Sequence, residues 1–527
     1  MRVVETDVII VGAGPTGLML ANESRLAGVR ALVLEKYPQP RETPKASGIG
    51  GRILDLLRYR GLLERLEAAG GSYPPPRFPF GGVYLDLTQL ADPPMRALAI
   101  PQLAIEQVLG QRAEELGSEI RRGHTVVGVG QDDDTVTADV HGPDGPYQVT
   151  ARYLVGCDGG RSPIRGMAGI EFSGTTLIEV NRLAQVTTPE MLTVHDNGDL
   201  DVPGVGRIAA GYTRTEHGQF AIHATPEILF LQTSEDEGAD YDSDEPLTLP
   251  EVRESIRRVL GVDLPLGEPM RLSRYVFQDR QAERYRAGRI LVAGDAAHLF
   301  PATGTALNAG MSDATNLAWK LAAAIEGWAP EGLLDTYHDE RHFAGARARL
   351  QTRAQMALRR GGDPAADALR TVFEELLTDE ATQRRLGALV GGTDIRYPLP
   401  GSDQHALAGT FAADRTLRTD VGVTSIAELM RAARPVFLDL ADRADLRAIV
   451  REWLPRVEIV TAETEDQPAD ALLIRPDAHI AWAASDEESA DSAAPTLRAA
   501  LARWFGSETS RTGSQSADTP SATMLRR

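Results

Sequence analysis

The stretch VIIVGAGPTGLMLA, residues 8–21, constrains the fold of this chain more than any other. An apolar strand runs directly into Gly12-Ala-Gly-Pro-Thr-Gly17, and a helical pattern then continues to Gly28, a residue suited to ending a helix. In such a unit the first glycine permits a tight turn and the second admits a pyrophosphate to the backbone. The third lets helix and strand pack closely. The stretch therefore predicts a dinucleotide-binding domain.

A second strand and an acid complete this unit. Residues 29–34 form the next apolar run, and Glu35 follows at its end, about 20 residues beyond the glycines. A carboxylate placed there accepts hydrogen bonds from the adenosine ribose, and the helix that starts near Pro15 directs its N-terminal amides at the phosphates. The turn alone leaves open whether the ligand is FAD or NAD.

Composition and charge exclude several other classes of protein. Glu5 and Asp7 stand where a secretory signal carries basic residues. The net charge of −20 repels nucleic acid, and no apolar run approaches the roughly 20 residues of a membrane helix. Cys157 is the only cysteine, so no intrachain disulfide can form and the cytoplasm is the expected compartment. The ten histidines show no metal-ligand spacing, so no metal is expected.

A second motif lies in YLVGCDGGRSPIR, residues 153–165. A strand ends at Cys157 and is followed at once by Asp158 and Gly159. Acids at the carboxyl ends of parallel strands lie at the edge where this class of sheet binds its ligands.

A third motif lies in residues 288–325. A strand leads to Gly294 and Asp295, and a glycine-containing loop then leads to a long helix. An acid at this position is well placed to bind hydroxyls such as those of a ribityl chain. The helix has one apolar stripe at three- and four-residue steps, formed by Leu307, Met311, Ala314, Leu317, Ala318, Leu321, Ala322 and Ile325.

In order and content, the three stretches resemble the GxGxxG, DG and GD motifs of the single-component (class A) FAD-dependent aromatic hydroxylases, which have the para-hydroxybenzoate hydroxylase fold. The resemblance covers residues 7–325 and implies that the bound dinucleotide is FAD rather than NAD. It implies that Asp158 and the backbone near it serve the pyrophosphates of FAD and NAD(P)H, and that Asp295 binds the ribityl hydroxyls. The motifs and the resemblance together give the expected cofactor-binding residues: Gly12, Gly14, Pro15, Thr16, Gly17, Glu35, Lys45, Gln102, Asp158, Gly159, Arg165, Gly294, Asp295, Pro301, Gly304, Leu307 and Asn308.

The resemblance implies a reaction in which the cofactor carries the chemistry. NAD(P)H, a transient co-substrate, reduces non-covalently bound FAD, and O2 forms a C4a-hydroperoxide that hydroxylates an activated aromatic carbon. EIRRGHTV and YLVGCDGGRSPIR resemble the polyketide-hydroxylase and rifampicin-monooxygenase branch, which implies a polycyclic aromatic polyketide as substrate. Antibiotic inactivation and Baeyer–Villiger oxygenation stay open as alternatives, as do a flavin oxidase or reductase and a non-catalytic flavin-binding protein. No single catalytic residue is expected.

Two departures from the family pattern flank the expected flavin. Lys45 stands in Pro44-Lys-Ala46 where the family often has Pro-Arg-Ala. The loop from Pro301 to Asn308 is one residue shorter than the family's usual loop. Both positions bear on the flavin environment and therefore on the outcome of the reaction.

The expected architecture is α/β, with a Rossmann-like FAD-binding domain, an inserted mixed β-sheet substrate domain and a C-terminal domain that resembles thioredoxin but has no CxxC. GVGRIAAG, residues 204–211, lacks a strand-then-helix context and is interpreted as a hairpin turn, so no second dinucleotide domain is expected. A homodimer is compatible with the sequence. The expected divisions are 1–74, 100–180 and 275–399 for FAD, 75–99 and 181–274 for substrate, 400–506 for the thioredoxin-like unit, and 507–527 for a disordered tail.

Four polar residues have two interpretations each. Tyr212, Gln219 and His223 lie in the sheet domain and could line the substrate pocket, but structural or exposed positions are favoured. His298 lies beside the third motif and could touch flavin, but packing behind the loop is favoured.

Overall fold

The computed structural model describes residues 5–41, 46–236, 246–301, 304–359, 363–400, 405–485 and 488–508. Lys45, the middle of the shortened loop and most of the expected tail lie outside these ranges. No helix within them is both long and apolar enough to cross a membrane, and they contain no cluster of His, Cys, Asp and Glu suited to a metal ion.

The helices of the described residues are, in chain order, Pro15–Leu26 (α1), Arg52–Tyr59 (α2), Leu63–Ala68 (α3), Gln102–Glu115 (α4), Pro163–Met167 (α5), Leu249–Leu260 (α6), Ala306–Glu326 (α7), Thr336–Arg359 (α8), Pro364–Leu376 (α9), Glu380–Gly391 (α10), Ile426–Leu429 (α11), Ala444–Val450 (α12) and Ala490–Phe505 (α13).

The strands are, in the same order, Val8–Val11 (β1), Ala31–Glu35 (β2), Gly48–Gly50 (β3), Arg77–Phe80 (β4), Val83–Asp86 (β5), Ala97–Ala99 (β6), Glu119–Arg122 (β7), Thr125–Gln131 (β8), Val136–Gly142 (β9), Gly145–Ala151 (β10), Tyr153–Gly156 (β11), Phe172–Thr187 (β12), Thr193–Val194 (β13), Leu200–Val202 (β14), Gly206–Ile208 (β15), Gly211–Thr215 (β16), Gly218–Ala224 (β17), Ile228–Asp236 (β18), Pro269–Ala282 (β19), Arg286–Ala287 (β20), Ile290–Val292 (β21), His298–Leu299 (β22), Thr416–Thr419 (β23), Gly422–Ser425 (β24), Val436–Asp439 (β25), Glu458–Thr461 (β26), Ala471–Ile474 (β27) and Ile480–Ala484 (β28).

A six-stranded sheet in the order β20-β21-β11-β1-β2-β7 forms the centre of the first unit. Strand β1 pairs in parallel with both β11 and β2, and β21 continues the parallel set beside β11. Parallel strands end at the same edge of a sheet. The residues at the ends of these neighbouring strands, Glu35, Cys157 and Ala293, therefore lie on the same side as Gly12. This is the edge at which open α/β sheets bind ligands.

Helix α7 covers one face of this sheet, and its apolar stripe is buried as predicted. Met311, Ala314 and Leu317 have no exposed surface and join the core formed by α1 and the parallel strands. Burying the stripe fixes the N-terminus of α7 beside the glycine turn.

A second six-stranded sheet, in the order β16-β17-β18-β12-β19-β22, is antiparallel throughout. Helix α6 packs on one face, where Phe220, Leu231 and Ile256 form part of a separate core. Strands β12 and β19 are long and run through the expected domain boundaries at residues 180 and 274. On the opposite face, Arg359 at the end of α8 donates to Gln219 and Ser234.

Residues 75–99 do not join this sheet, contrary to the expectation from their alternating pattern. Strands β4 and β5 pair only with each other in the described structure. Their apolar residues, including Phe80 and Leu85, pack against Leu358, Leu377 and Leu386 of the helical region. A strand that alternates apolar and polar residues needs a surface that buries its apolar side. Here helices form that surface, and the antiparallel sheet does not.

The C-terminal unit has a four-stranded sheet in the order β26-β25-β27-β28. Strands β25 and β26 are parallel, whereas β27 runs antiparallel to both of its neighbours. This mixed order, with α13 closing the unit, is the arrangement expected of a thioredoxin-like domain. The unit is not a separate body, because Trp319 and Leu333 of the first unit share one core with Trp504 and Phe505.

Candidate functional site

The three predicted motifs meet at the carboxyl edge of the parallel sheet. A Cβ atom added to Gly294 would lie 2.6 Å from the hydroxyl oxygen of Thr16, and one added to Gly310 would overlap the same oxygen. A Cβ atom on Gly12 would lie 2.5 Å from the carbonyl oxygen of Cys157. Glycines at these positions therefore let the three loops come into direct contact.

The glycine turn shows the three separate roles expected of it. Gly12 has a left-handed φ of 107°, and its amide donates to the carbonyl of Leu34 at 2.8 Å. A Cβ on Gly17 would overlap the carbonyl oxygen of Gly12, so a hydrogen is all that fits. Gly14 has no described atom within 4 Å of its Cβ position, which leaves the N-terminus of α1 open on that side. An open backbone at a helix N-terminus is the cradle that a pyrophosphate requires.

Glu35 is held at the rim of this cradle. Its two carboxylate oxygens accept hydrogen bonds from the backbone amides of Ala13, at 2.8 Å, and Tyr37, at 2.9 Å. A carboxylate oxygen accepts more than one hydrogen bond, so this fixed carboxylate retains the capacity to bind ribose hydroxyls.

The polar side chains of the second motif form hydrogen bonds within its own loop. The carboxylate of Asp158 accepts from the Ser162 hydroxyl at 2.5 Å and from the Ile164 amide at 3.1 Å. Burial raises the pKa of Asp158, and these hydrogen bonds offset part of that rise. Arg165 donates to the carbonyls of Gly160 and Ala296, which ties the second motif to the third. Gly159, with a φ of 91°, has open space at its Cβ position.

The third motif begins with a 3-10 turn at Gly294–Ala296 that places Asp295 half-buried at the sheet edge. Pro301 is buried, Gly304 has a φ of 88° and an open Cβ position, and Leu307 is half-buried.

Asn308, in the first turn of α7, ties the end of the third motif to β3. Its side chain accepts from the Gly50 amide at 3.3 Å and donates to the Gly304 carbonyl at 2.9 Å. Gln102, the first residue of α4, donates to Glu106 at 2.7 Å.

Behind the third motif lies a buried ionic cluster that the sequence reasoning missed. One carboxylate oxygen of Asp313 accepts from the Gly294 amide at 3.0 Å and contacts His298 Nε2 at 2.7 Å. The other accepts from Arg341 at 2.7 Å, and Arg341 also donates to the Tyr397 hydroxyl. Burial alone would raise the pKa of Asp313, but the charges of His298 and Arg341 lower it.

A second ionic cluster joins the first unit to the C-terminal unit. Glu340 accepts from Arg475 at 2.5 and 2.8 Å and from Lys320 at 2.7 Å, and Arg475 also pairs with Asp477. Burial lowers the pKa of Lys320 to about 8, although Glu340 opposes that shift. The signal in the sequence was that Asp313 and Lys320 are the only charged residues of α7 before Glu326 at its end.

Comparison with known proteins shows the family. The FAD binding domain family matches residues 5–352, and the aromatic-ring hydroxylase C-terminal family matches residues 405–507. A 12-dehydrotetracycline 5-monooxygenase/anhydrotetracycline 6-monooxygenase of Streptomyces rimosus is 40% identical over 95% of this chain and 99% of its own length. A rifampicin monooxygenase of Streptomyces venezuelae is 38% identical over 95% and 99%.

The fold agrees with solved structures. OxyS, an anhydrotetracycline hydroxylase of Streptomyces rimosus, superposes with a TM-score of 0.84 at 39% identity, over 96% of this chain and all of that one. The chain therefore belongs to the FAD-dependent aromatic-ring hydroxylases, and it is a flavin monooxygenase that uses FAD. The predicted family, fold class and cofactor are confirmed.

A matched pair of glycine substitutions separates ligand approach from packing in the turn. Gly14→Ala should leave the thermal stability of the FAD-free protein within about 0.5 kcal/mol, because its Cβ meets no described atom, while FAD affinity falls at least tenfold. Gly17→Ala should destabilise the FAD-free protein itself by about 1–3 kcal/mol, because its Cβ overlaps the carbonyl of Gly12. Thermal melts and FAD titrations measure both. Equal stability of the two variants would contradict the assigned roles.

Proposed function

We propose that this enzyme oxygenates a polycyclic aromatic polyketide, with NAD(P)H as reductant and O2 as oxygen source. The observation that carries the proposal is the nearly full-length match to a monooxygenase named for two tetracycline intermediates. When bound, FAD accepts hydride from NAD(P)H and activates O2 for transfer to carbon.

We infer that the residues of the converging loops hold FAD without a covalent bond. The turn from Gly12 to Gly17, with Pro15 and Thr16, would receive the pyrophosphate, and Glu35 the adenosine ribose. Asp295 and Gly294 would meet the ribityl chain, whereas Asp158, Gly159 and Arg165 would position their loop for FAD and NAD(P)H. The flavin ring would be surrounded by Pro301, Gly304, Leu307 and Asn308, with Gln102 and Lys45 as further contacts.

The protein itself has three tasks in this chemistry. Buried loops exclude water from the reacting centre, and the sheet positions the aromatic ring. The donor-rich N-terminus of α7 stabilises negative charge on the ring system beside it. We further propose that the enzyme works in the cytoplasm, where NAD(P)H is available, and that it assembles as a homodimer. Apart from residues 75–99, we propose that the FAD and substrate domains divide near the sequence positions given above.

The test is a turnover experiment with the purified protein. We expect a yellow protein that releases FAD on acid denaturation, and NADPH oxidation that accelerates when anhydrotetracycline is added. With 18O2, mass spectrometry should find one labelled oxygen in the product. A colourless protein, or NADPH oxidation that leaves the added compound without labelled oxygen, would contradict the proposal and favour an oxidase or a flavin-binding protein.

Antibiotic inactivation is the second candidate, because the rifampicin monooxygenase match is almost as strong. Rifampicin in the same assay separates the two. Incorporation of labelled oxygen into rifampicin but not into anhydrotetracycline would favour inactivation over biosynthetic tailoring.

A further inference from the structure

A cavity of about 100 Å³ lies between α7 and α8, where these helices meet α2, α10 and the C-terminal unit. It is called here the α7–α8 cavity. Its described lining contains no residue of the antiparallel sheet and none of the glycine turn. It is therefore separate from the regions to which the proposed function assigns the aromatic substrate and the pyrophosphate.

The inner end of the α7–α8 cavity adjoins the region expected to hold the flavin ring. Thr305, the N-cap of α7, and Asn308, in the first turn of α7, both line the cavity. Arg347 lines it from α8, and the side chain of Arg347 is 40% exposed where it pairs with Asp394. The cavity therefore connects the flavin end of α7 with the solvent-exposed side of α8.

The polar side chains of the cavity wall are already hydrogen-bonded within the protein. Arg341 donates from all three of its guanidinium nitrogens to neighbouring groups. The Asn316 amide donates from its nitrogen and accepts at its oxygen, and so does the Gln351 amide. The hydroxyls of Ser312 and Thr315 donate to backbone carbonyls of α7. These groups have few hydrogen bonds left for a molecule in the cavity, whereas a buried water needs about two to four polar partners.

Much of the remaining wall is apolar and favours an occupant that makes no hydrogen bonds. The larger apolar side chains of the lining are Ile53, Leu56, Leu389, Val390, Ile395 and Phe411. The volume is well below the roughly 300 Å³ at which pockets begin to accept drug-sized ligands. An aromatic polyketide or a nicotinamide cofactor is too large for this space, whereas an apolar diatomic molecule fits it.

We propose that the α7–α8 cavity binds O2 and delivers it from the solvent-exposed side of α8 to the flavin end of α7. Dioxygen is small and apolar, so it enters a space of this kind without losing hydrogen bonds to water. The inference rests on the proposed use of O2 as oxygen source, and it does not depend on which aromatic compound is oxygenated.

Xenon tests the binding site directly, because xenon is apolar and enters dry cavities in proteins. Crystals of the FAD-loaded wild type under xenon pressure should show a xenon atom in the α7–α8 cavity. In Ala348→Phe the new ring should occupy this space, since Ala348 lies in the cavity wall, and the xenon atom should be absent. Ala348→Leu is a smaller change at the same position and should reduce the xenon occupancy. The FAD content and the thermal melt of each variant report folding.

Stopped-flow kinetics test the delivery of O2. The enzyme is first reduced with NADPH and then mixed with O2, without an aromatic substrate. The second-order rate constant for reoxidation should fall at least about fivefold in Ala348→Phe, and by less in Ala348→Leu, because a filled passage adds a steric barrier. Ferricyanide is a bulky anion that cannot enter the cavity, so its rate of reoxidation should stay within about twofold in every variant.

Ala354→Phe is the matched control, because Ala354 is an exposed residue of α8 outside the cavity lining. It should retain the bound xenon and the wild-type rates with NADPH, O2 and ferricyanide. A parallel loss of the O2 and ferricyanide rates in Ala348→Phe would mean that the flavin itself is disturbed, and it would count against delivery through the cavity.

Wild-type crystals with no xenon in the α7–α8 cavity would overturn the inference, and this measurement decides the matter even if neither Ala348 variant retains FAD. An Ala348→Phe protein that loads FAD and reacts with O2 as fast as the wild type would overturn it as well. Neither result touches the proposed function, which fails separately if anhydrotetracycline neither accelerates NADPH oxidation nor acquires labelled oxygen.

Discussion

Removal of residues 400–527 should yield a protein that aggregates or fails to retain FAD. The C-terminal unit is part of the main core, because Tyr59 of α2 packs against Phe411 and donates to the Ala412 carbonyl at 2.6 Å. Truncation would also expose Trp319, which is 4% exposed in the intact chain. The lost apolar burial alone makes this the largest expected effect.

The truncation also breaks buried ionic contacts. Glu340 would lose both of its hydrogen bonds to Arg475, and Arg60, buried beside Glu23, would lose the carbonyls of Met430 and Pro476. Charges left buried without partners are strongly destabilising. Soluble expression, thermal melting and FAD content measure the outcome.

A chain ending at residue 508 is the matched control for the truncation. It keeps the contacts of Arg456 with the carbonyls of Phe505 and Ser507 and should behave as the full chain does. The C-terminal unit contributes no thiol–disulfide activity to either protein, because Cys157, the one cysteine of the chain, lies outside that unit. A soluble 1–399 protein with normal FAD content would show that the unit is dispensable.

Asp313→Ala should destabilise the protein by about 3–5 kcal/mol, because the substitution leaves Arg341 buried without its carboxylate partner. It also removes the acceptor that holds the Gly294 amide and His298, so the third motif loses its support. We expect FAD affinity to fall at least tenfold along with stability. Urea unfolding of the FAD-free protein and FAD titration separate these two effects.

Two further variants test whether burial is the cause. Asp313→Asn keeps the shape and an acceptor for the Gly294 amide but loses the charge, so it should be intermediate. Glu380→Ala breaks a solvent-exposed pair with Arg384 on α10 and should change stability by no more than about 0.5 kcal/mol. An Asp313→Ala protein as stable as the Glu380→Ala protein would refute the role given to the cluster.

Local sequence patterns were sufficient to predict the strands and helices that carry the cofactor motifs. The glycine turn, the strand ending at Glu35 and the apolar stripe of α7 depend on neighbours close in sequence, because steric limits at glycine and helical periodicity are local properties. The hairpin β27–β28 and the helix α13 of the C-terminal unit likewise follow from local patterns. The family resemblance rested on these segments.

The sequence by itself therefore determined the fold class, the FAD-binding motifs and the absence of thiol chemistry in the C-terminal unit. Tertiary structure alone decided that Asp313 and Glu340 are buried ion-pair partners and that residues 77–86 pack on helices. These features join residues far apart in the chain, such as Glu340 and Arg475. The free energy of a buried charge or an unpaired donor depends on which distant groups surround it, and that is not encoded in any local pattern.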